Sequence, residues 1–182
     1  MRADAARNRE AVLTAADRLF EAATDPDRIS MDDVAAAAGV GKGTLFRHFR
    51  DRLGLIRALY GARGEQLQAS LAASLPGDSP ADRALRLLRE LVRFKRANRV
   101  LTLALENAGS GSPYRNESYE EWHATLSAIV SEARGPESAE FLAHALLAAV
   151  RSDLVEHLRD WPDERWDAGL TALTRSVLTS GR

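Results

Sequence analysis

The stretch from Ser30 to Phe49, SMDDVAAAAGVGKGTLFRHF, constrains the fold of this chain more than any other part of the sequence. Ser30 is followed three residues later by Asp33, which is the spacing of a helix N-cap and its capping-box partner. The Ser30 hydroxyl can accept a hydrogen bond from the Asp33 amide, while the Asp33 carboxylate accepts one from the Ser30 amide. A helix is therefore predicted to begin here and to end at Gly39, because glycine readily adopts the left-handed conformation that closes a helix.

A second, shorter helix is predicted from about Gly41 or Lys42 to Phe49. Leu45 and Phe49 fall on one face of it, and the basic residues Lys42, Arg47 and His48 lie elsewhere on the wheel. The small side chain of Ala35 in the first helix allows the second helix to cross it closely. Two helices joined by a tight glycine-containing turn, the second short and basic, form the helix-turn-helix arrangement that places a recognition helix in the major groove.

The segment VAAAAGVGKGTLFRHF, followed by RDRLGLIRALY, resembles the DNA-binding signature of the TetR family of transcriptional regulators. The pattern A-x-x-A-G-V-x-x-G-T-L-[YF]-x-x-F carries this resemblance, which covers roughly residues 10 to 60. The alternative is a helical hairpin with no role in DNA binding. It is disfavoured because glycine, threonine, aromatic and basic residues all occupy the matching positions.

The resemblance implies a set of DNA-binding residues. Those nearest the groove are Lys42, Gly43, Thr44, Arg47 and His48, of which Lys42 or Arg47 can donate to guanine edges. Thr44 and Arg52 match positions that hold phosphates. Phe46 stands where the family commonly has a tyrosine whose hydroxyl also meets phosphate, so that contact is expected to be absent here.

The charge distribution agrees with a local DNA-binding surface. The formal net charge is −1, which argues against a general nucleic-acid coat and weakens the alternative of an architectural DNA-binding protein. Between Lys42 and Arg57, however, five lysine and arginine residues are accompanied by one acidic residue, Asp51. Any affinity for DNA is therefore expected to come from this patch.

The sequence contains little that indicates an enzyme. It has no cysteine, which excludes thiolate metal sites and cysteine nucleophiles. Its histidines form neither an HExxH motif nor an i, i+4 pair, and GVGKGT lacks the spacing of a phosphate-binding loop. We therefore expect no catalytic residue, no metal and no cofactor, and an all-α enzyme is the weaker alternative. The charged N-terminus and the absence of a long apolar run predict a cytoplasmic protein without membrane contact.

Hydrophobic periodicity predicts an all-α chain of about nine helices. The first three, up to residue 51, form a helix-turn-helix DNA-binding domain, and residues 52–182 form a helical ligand-binding and dimerisation domain. Asp51 is predicted to cap the fourth helix, which links the two domains. Lys95 lies in the apolar arc of the fifth helix, either as a pocket cation or as a lysine that extends to solvent or meets the helix C-terminus. The predicted helices span about residues 4–23, 30–38, 42–49, 52–75, 80–96, 100–108, 114–133, 136–159 and 163–179.

The last two predicted helices carry more apolar residues than one subunit can cover, which predicts a homodimer formed through them. The resemblance also implies a dimer that binds a palindromic operator, acts as a repressor rather than an activator, and is released by a small-molecule effector. Residues that could line the effector cavity are Phe94, Leu105, Trp122, His123, Leu126, Leu147 and Arg151, with a purely structural role in the core as the alternative for Phe94, Leu126 and Leu147. Arg151 would need a carboxylate partner, either Glu106 or an acidic ligand.

Overall fold

The computed structural model describes residues 2–23, 25, 28–71, 78–107 and 117–179. These residues form ten helices and no strand, which confirms the all-α prediction. No helix among them is long and apolar enough to cross a bilayer. The helices are α1 Arg2–Ala22, α2 Met31–Ala38, α3 Lys42–Phe49, α4 Arg52–Leu71, α5 Pro80–Ala97, α6 Arg99–Asn107, α7 Glu117–Arg134, α8 Pro136–Ala148, α9 Ser152–His157 and α10 Asp163–Leu178.

The predicted boundaries of α2 are confirmed by its hydrogen bonds. The Asp33 amide donates to the Ser30 hydroxyl at 3.1 Å, and the Ser30 amide donates to the Asp33 carboxylate at 2.9 Å. The Ser30 hydroxyl also donates to the Asp33 carboxylate at 2.6 Å, and this bond, together with the one from the Ser30 amide, holds the pKa of the Asp33 carboxyl below its usual value. At the other end Gly39 has φ 65° and ψ 28°, and the Val40 amide donates back to the Ala35 carbonyl at 3.1 Å. Both ends of the helix are therefore set by local chemistry.

The chain forms two compact units. The first comprises Met1–Glu65 and Asn98–Ser110, so it contains α1 to α3, most of α4, and α6. Its core is built by the apolar faces of these helices, and α6 contributes Leu101 and Ala104 to it. The compact unit thus extends beyond residue 51, while the division of functional domains between residues 51 and 52 stays a prediction.

The second unit comprises Gln66–Ala97 and Gly111–Arg182. Its core is formed by buried residues of α5, α7, α8, α9 and α10. An ion pair joins α5 to α10, in which Arg89 Nη2 donates to Asp167 Oδ2 at 2.8 Å. This hydrogen bond holds the pKa of the Asp167 carboxyl below its usual value.

The helix predicted from about Pro136 to Arg159 is in fact two helices, α8 and α9. At the break, Lys95 of α5 donates to the Val150 carbonyl at 2.5 Å, which satisfies a backbone acceptor just beyond the end of α8. Arg151 then has φ −61° and ψ 149°, which is extended backbone, and α9 begins at Ser152. Of the two interpretations of Lys95, the described contact is the one to a helix C-terminus.

Candidate nucleic-acid interface

Helix α3 has one face in the core of the first unit and one face open. Leu45 and Phe49 are buried against this core, together with Val34 and Ala35 of α2. This packing turns the opposite face outward. Of the residues predicted to bind DNA, Lys42, Gly43, Phe46 and Arg47 are exposed, whereas Thr44, His48 and Arg52 are half-buried.

The ammonium of Lys42 forms an ion pair with a carboxylate of α2. Its Nζ lies 2.6 Å from Asp32 Oδ2, and the two side chains are 65% and 59% exposed. An ion pair this exposed contributes little to stability, typically no more than about 1 kcal/mol. Lys42 can therefore exchange Asp32 for a DNA group at small cost.

Arg52 has a structural partner within the first unit. Its Nε donates to the Ile29 carbonyl at 3.0 Å, and its guanidinium carbon lies 6.0 Å from the centre of the Phe20 ring. These contacts connect the start of α4 to the segment that precedes α2. The predicted phosphate contact of Arg52 therefore has to be made by a side chain that also supports the fold.

Phe46 and His48 differ in their surroundings. Phe46 is 45% exposed, which places an aromatic ring on the open face of α3. His48 is half-buried, and its Nε2 has no hydrogen-bond partner among the described residues. The hydroxyl contact that the family makes at the position of Phe46 has no counterpart in this side chain.

The turn between α3 and α4 is tight. Asp51 caps α4 as predicted, because its Oδ1 accepts a hydrogen bond from the Gly54 amide at 2.7 Å. The Asp51 amide in turn donates to the Phe49 carbonyl at 2.6 Å. Arg50, between them, has φ 62° and ψ −52° and is the one non-glycine residue with positive φ among the described residues. Residue type does not predict this conformation, because an arginine disfavours positive φ.

The residues predicted to line an effector cavity are distributed over both units. Trp122, Leu126 and Leu147 are buried in the core of the second unit, and Leu105 packs against the core of the first. Arg151 forms an ion pair with Asp153, in which Nη2 and Oδ2 are 3.0 Å apart. The side chain of Glu106, the protein carboxylate predicted as a partner of Arg151, lies outside the described residues. Phe94 is half-buried on α5.

His123 belongs to an aromatic stack that joins α7 to α8. Its ring centre lies 3.9 Å from that of His144, and the Tyr119 oxygen lies 2.6 Å from His144 Nδ1. Partial burial and the neighbouring His123 lower the pKa of His144, and Glu140 acts in the opposite direction. Tyr119 and His144 were not among the residues predicted from the sequence to line an effector cavity. The four-residue spacing of Tyr119 and His123 on α7 is the local signal that could have indicated their pairing.

Two buried hydroxyl groups in the second unit were also missed. Thr174 in α10 is fully buried, and its Oγ1 has no hydrogen-bond partner among the described residues; the same holds for Ser127 Oγ in α7. Buried hydroxyls are normally paired, so these two groups are places where water or a ligand can donate or accept. Within the described ranges, no cluster of three or more histidine or acidic residues could hold a metal ion.

A short basic helix that is held by a capped first helix, with one face in a core and the other exposed, defines a helix-turn-helix DNA-binding domain. The profile described as "Bacterial regulatory proteins, tetR family" matches residues 12–59, which cover this domain from α1 to α4. Residues 12–59 therefore carry a DNA-binding domain of the type found in the TetR family of bacterial regulatory proteins.

Individual relatives agree with this assignment. The chain is 29% identical over 114 residues to the HTH-type transcriptional regulator SAR0097 of Staphylococcus aureus, and these residues cover 61% of this chain and 60% of that protein. It is 36% identical over 84 residues to the HTH-type transcriptional repressor LfrR of Mycolicibacterium smegmatis, covering 46% and 43% of the two chains. The chain thus matches less than two thirds of either relative.

The fold is similar to that of solved structures over nearly the whole chain. A TetR-family transcriptional regulator from Rhodococcus sp. superposes with a TM-score of 0.71, covering 94% of this chain and 99% of the other at 20% identity. A second transcriptional regulator from Rhodococcus gives a TM-score of 0.68 at 23% identity. At this level of identity the similarity concerns the fold.

Proposed function

We propose that this chain is a transcriptional repressor that binds a palindromic DNA operator as a homodimer and is released by a small-molecule effector. The observation that carries the proposal is the exposed face of α3, where Lys42 and Arg47 lie on a helix whose other face is buried in a helix-turn-helix core. The relative LfrR is named as a repressor, which supports repression over activation.

The first experiment tests DNA recognition by this face. A duplex is selected by the wild-type protein from a pool of random sequences, and binding is then compared with a scrambled duplex. Arg47→Ala should lower affinity for the selected duplex and relax the preference at one base position, because a bidentate arginine contact contributes about 1–3 kcal/mol of discrimination. Arg159→Ala, which removes an exposed arginine of the second unit, is the matched control. Equal binding of both duplexes by the wild type would contradict sequence-specific recognition and favour the architectural alternative.

Arg52 requires a separate design because it also supports the fold. The proposed phosphate contact predicts that Arg52→Ala lowers the salt slope of DNA binding by about 0.9 per subunit. Since Arg52→Ala also removes the hydrogen bond to Ile29, the variant is compared with Ile29→Ala, which perturbs the same segment and keeps the arginine. A salt slope that is unchanged in Arg52→Ala would refute the phosphate role.

The proposed dimer surface lies on α8 and α10. Phe141 on α8 is 76% exposed, and α10 presents the small exposed residues Ala168, Gly169 and Ala172, which allow close approach of another helix. Leu173 and Val177 of α10, by contrast, are partly buried against the core of their own unit. A charge at Leu173 would therefore disturb this core, and Phe141 is the better site for a test.

Phe141→Glu should shift the protein from dimer to monomer in sedimentation velocity, with an unchanged thermal unfolding curve at a concentration where both are monomeric. Glu137→Gln on the same helix is a control for surface charge, since Glu137 is already exposed. A dimer of unchanged affinity in Phe141→Glu would exclude this part of the surface from the interface.

The effector site is proposed to lie within the second unit. The support is the pair of buried hydroxyls of Ser127 and Thr174 without partners, since a ligand pocket is mostly apolar with a few polar groups that orient the ligand. Candidate effectors can be screened by quenching of tryptophan fluorescence, repeated in Trp122→Phe and Trp161→Phe. Loss of saturable quenching in Trp122→Phe but not in Trp161→Phe would support an effector site at Trp122. Unchanged quenching in Trp122→Phe would mean that the effector binds elsewhere.

The enzyme alternative has no supporting observation among the described residues. It predicts turnover of a small molecule by the purified protein, whereas the proposed function predicts binding of the effector without its conversion.

A further inference from the structure

Arg50 occupies a backbone conformation that normally belongs to glycine. Its φ of 62° and ψ of −52°, together with the hydrogen bond from the Asp51 amide to the Phe49 carbonyl at 2.6 Å, form a three-residue γ-turn. A residue with a Cβ is destabilised at positive φ, because its Cβ approaches the neighbouring carbonyl oxygen. At the other positive-φ positions of the described chain, Gly39 and Gly135, glycine avoids that cost.

The surroundings of Arg50 prevent its backbone from relaxing. Phe49 on one side is buried in the core of the first unit, and Asp51 on the other side caps α4. The Arg50 amide itself donates to the Phe46 carbonyl at 2.8 Å, which closes the last turn of α3. The conformation is therefore imposed by the two helices that meet at this turn. Because the Arg50 side chain is exposed, its packing does not offset the conformational free energy that an arginine loses here.

The charge of Arg50 is also available, unlike that of two neighbouring cations. Lys42 is paired with Asp32, and Arg52 donates to the Ile29 carbonyl. Arg50 has no ion pair or side-chain hydrogen bond among the described residues, although it follows the recognition helix directly and lies three residues beyond Arg47. A polyanion that contacts the open face of α3 would thus find an unpaired guanidinium at the end of that helix.

We infer that Arg50 is a DNA-backbone ligand: the strained turn after α3 presents its guanidinium to a phosphate at the border of the recognition site. This inference rests on the proposed function, and it adds a contact beyond those expected from the sequence. It also predicts that stability and DNA binding change in opposite directions when the residue is replaced by glycine. A phosphate ligand fixes position and not sequence, so its loss weakens binding to every duplex alike.

Three substitutions separate the charge from the backbone strain. Arg50→Lys keeps the charge and the strain, Arg50→Ala removes the charge and keeps the strain, and Arg50→Gly removes both. Each is measured by thermal unfolding and by salt-dependent binding to the duplex selected by the wild-type protein, with the scrambled duplex in parallel. Arg159→Ala again serves as the control for loss of an exposed arginine outside the first unit.

We expect Arg50→Ala and Arg50→Gly to lower the salt slope of binding by about 1.8 per dimer, which is two phosphates at about 0.9 each. Affinity for both duplexes should fall by a similar factor, and Arg50→Lys should retain most of the affinity and the slope. Arg50→Gly alone should raise the midpoint of thermal unfolding, by about 2–4 °C for a chain of this size.

The outcomes that overturn the inference are distinct from those that overturn the proposed function. If Arg50→Ala binds with the affinity and salt slope of the wild type, while Arg47→Ala is impaired, Arg50 is not a phosphate ligand and the proposed function stands. An Arg50→Lys variant as weak as Arg50→Ala would also exclude an electrostatic contact. If the wild type binds the selected and the scrambled duplex equally, the proposed sequence-specific function fails, whereas the salt slope of Arg50→Ala still decides the phosphate contact; if the wild type binds neither duplex, both fail.

Discussion

Gly54 in the first turn of α4 has no room for a side chain. A Cβ built at this position would overlap the Phe49 carbonyl oxygen and would lie 3.2 Å from the Phe49 carbonyl carbon and 3.4 Å from Asp51 Oδ1. The atoms that it meets are mostly backbone and cannot rotate away. Phe49 is itself buried, so the end of α3 would have to move relative to the start of α4.

The expected effect of Gly54→Ala follows from two opposing contributions. Alanine is favoured over glycine in a helix by about 1 kcal/mol, whereas forcing an additional carbon into a packed site costs about 1–3 kcal/mol. Because backbone atoms form the obstacle, we use the upper value and expect a net destabilisation of about 2 kcal/mol. For a protein of this size, that lowers the midpoint of thermal unfolding by about 4–8 °C.

Gly61 provides the matched control, since it lies in the same helix and a Cβ there would meet nothing within 4 Å. Gly61→Ala should leave stability unchanged or raise it by up to about 1 kcal/mol. Thermal unfolding followed by circular dichroism measures both variants. If Gly54→Ala proved as stable as Gly61→Ala, the close approach of α4 to the end of α3 would be wrong, and so would the geometry derived for the Arg50 turn.

Three further predictions concern single side chains. Ser30→Ala removes the N-cap of α2 and should lower the free energy of unfolding by about 1 kcal/mol, whereas Ser30→Asp, which can still accept from the Asp33 amide, should lose less in the same denaturant titration. Thr174→Val removes a buried hydroxyl without a partner and should raise the free energy of unfolding by about 1 kcal/mol; a loss instead would show that the hydroxyl is hydrogen-bonded in solution. His144 has a lowered pKa in the folded chain, so the unfolded chain takes up the proton first and stability should fall as the pH drops through the unfolded value of about 6.5. His144→Gln should flatten that part of the stability profile, and an identical profile in both proteins would refute the interpretation.

The DNA-binding helices could be predicted because the interactions that define them are local. The capping box joins Ser30 to Asp33, and the hydrogen bond that closes α2 joins Val40 to Ala35. Residues this close along the chain meet whenever the helix forms, so residue type and spacing are sufficient. The exposure of Lys42 and Arg47 follows from the roughly 3.6-residue period of α3: when Leu45 faces the core, these two residues lie on other faces of the helix.

Features that depend on contacts between residues far apart in the sequence could not be predicted from local residue type and spacing. Lys95 and Val150 are 55 positions apart, and nothing in the apolar pattern of residues 136–159 predicts either their contact or the break between α8 and α9 where it is made. The stack of His123 on His144, the exposure of Phe141 and the packing of α6 within the first unit depend likewise on which helix faces meet. Arg50 adopts positive φ because two packed helices meet at its position, although its own preference opposes it. Local sequence determined where α2 and α3 begin and end, and tertiary packing decided the strained turn, the broken helix and the charges that remain available to bind.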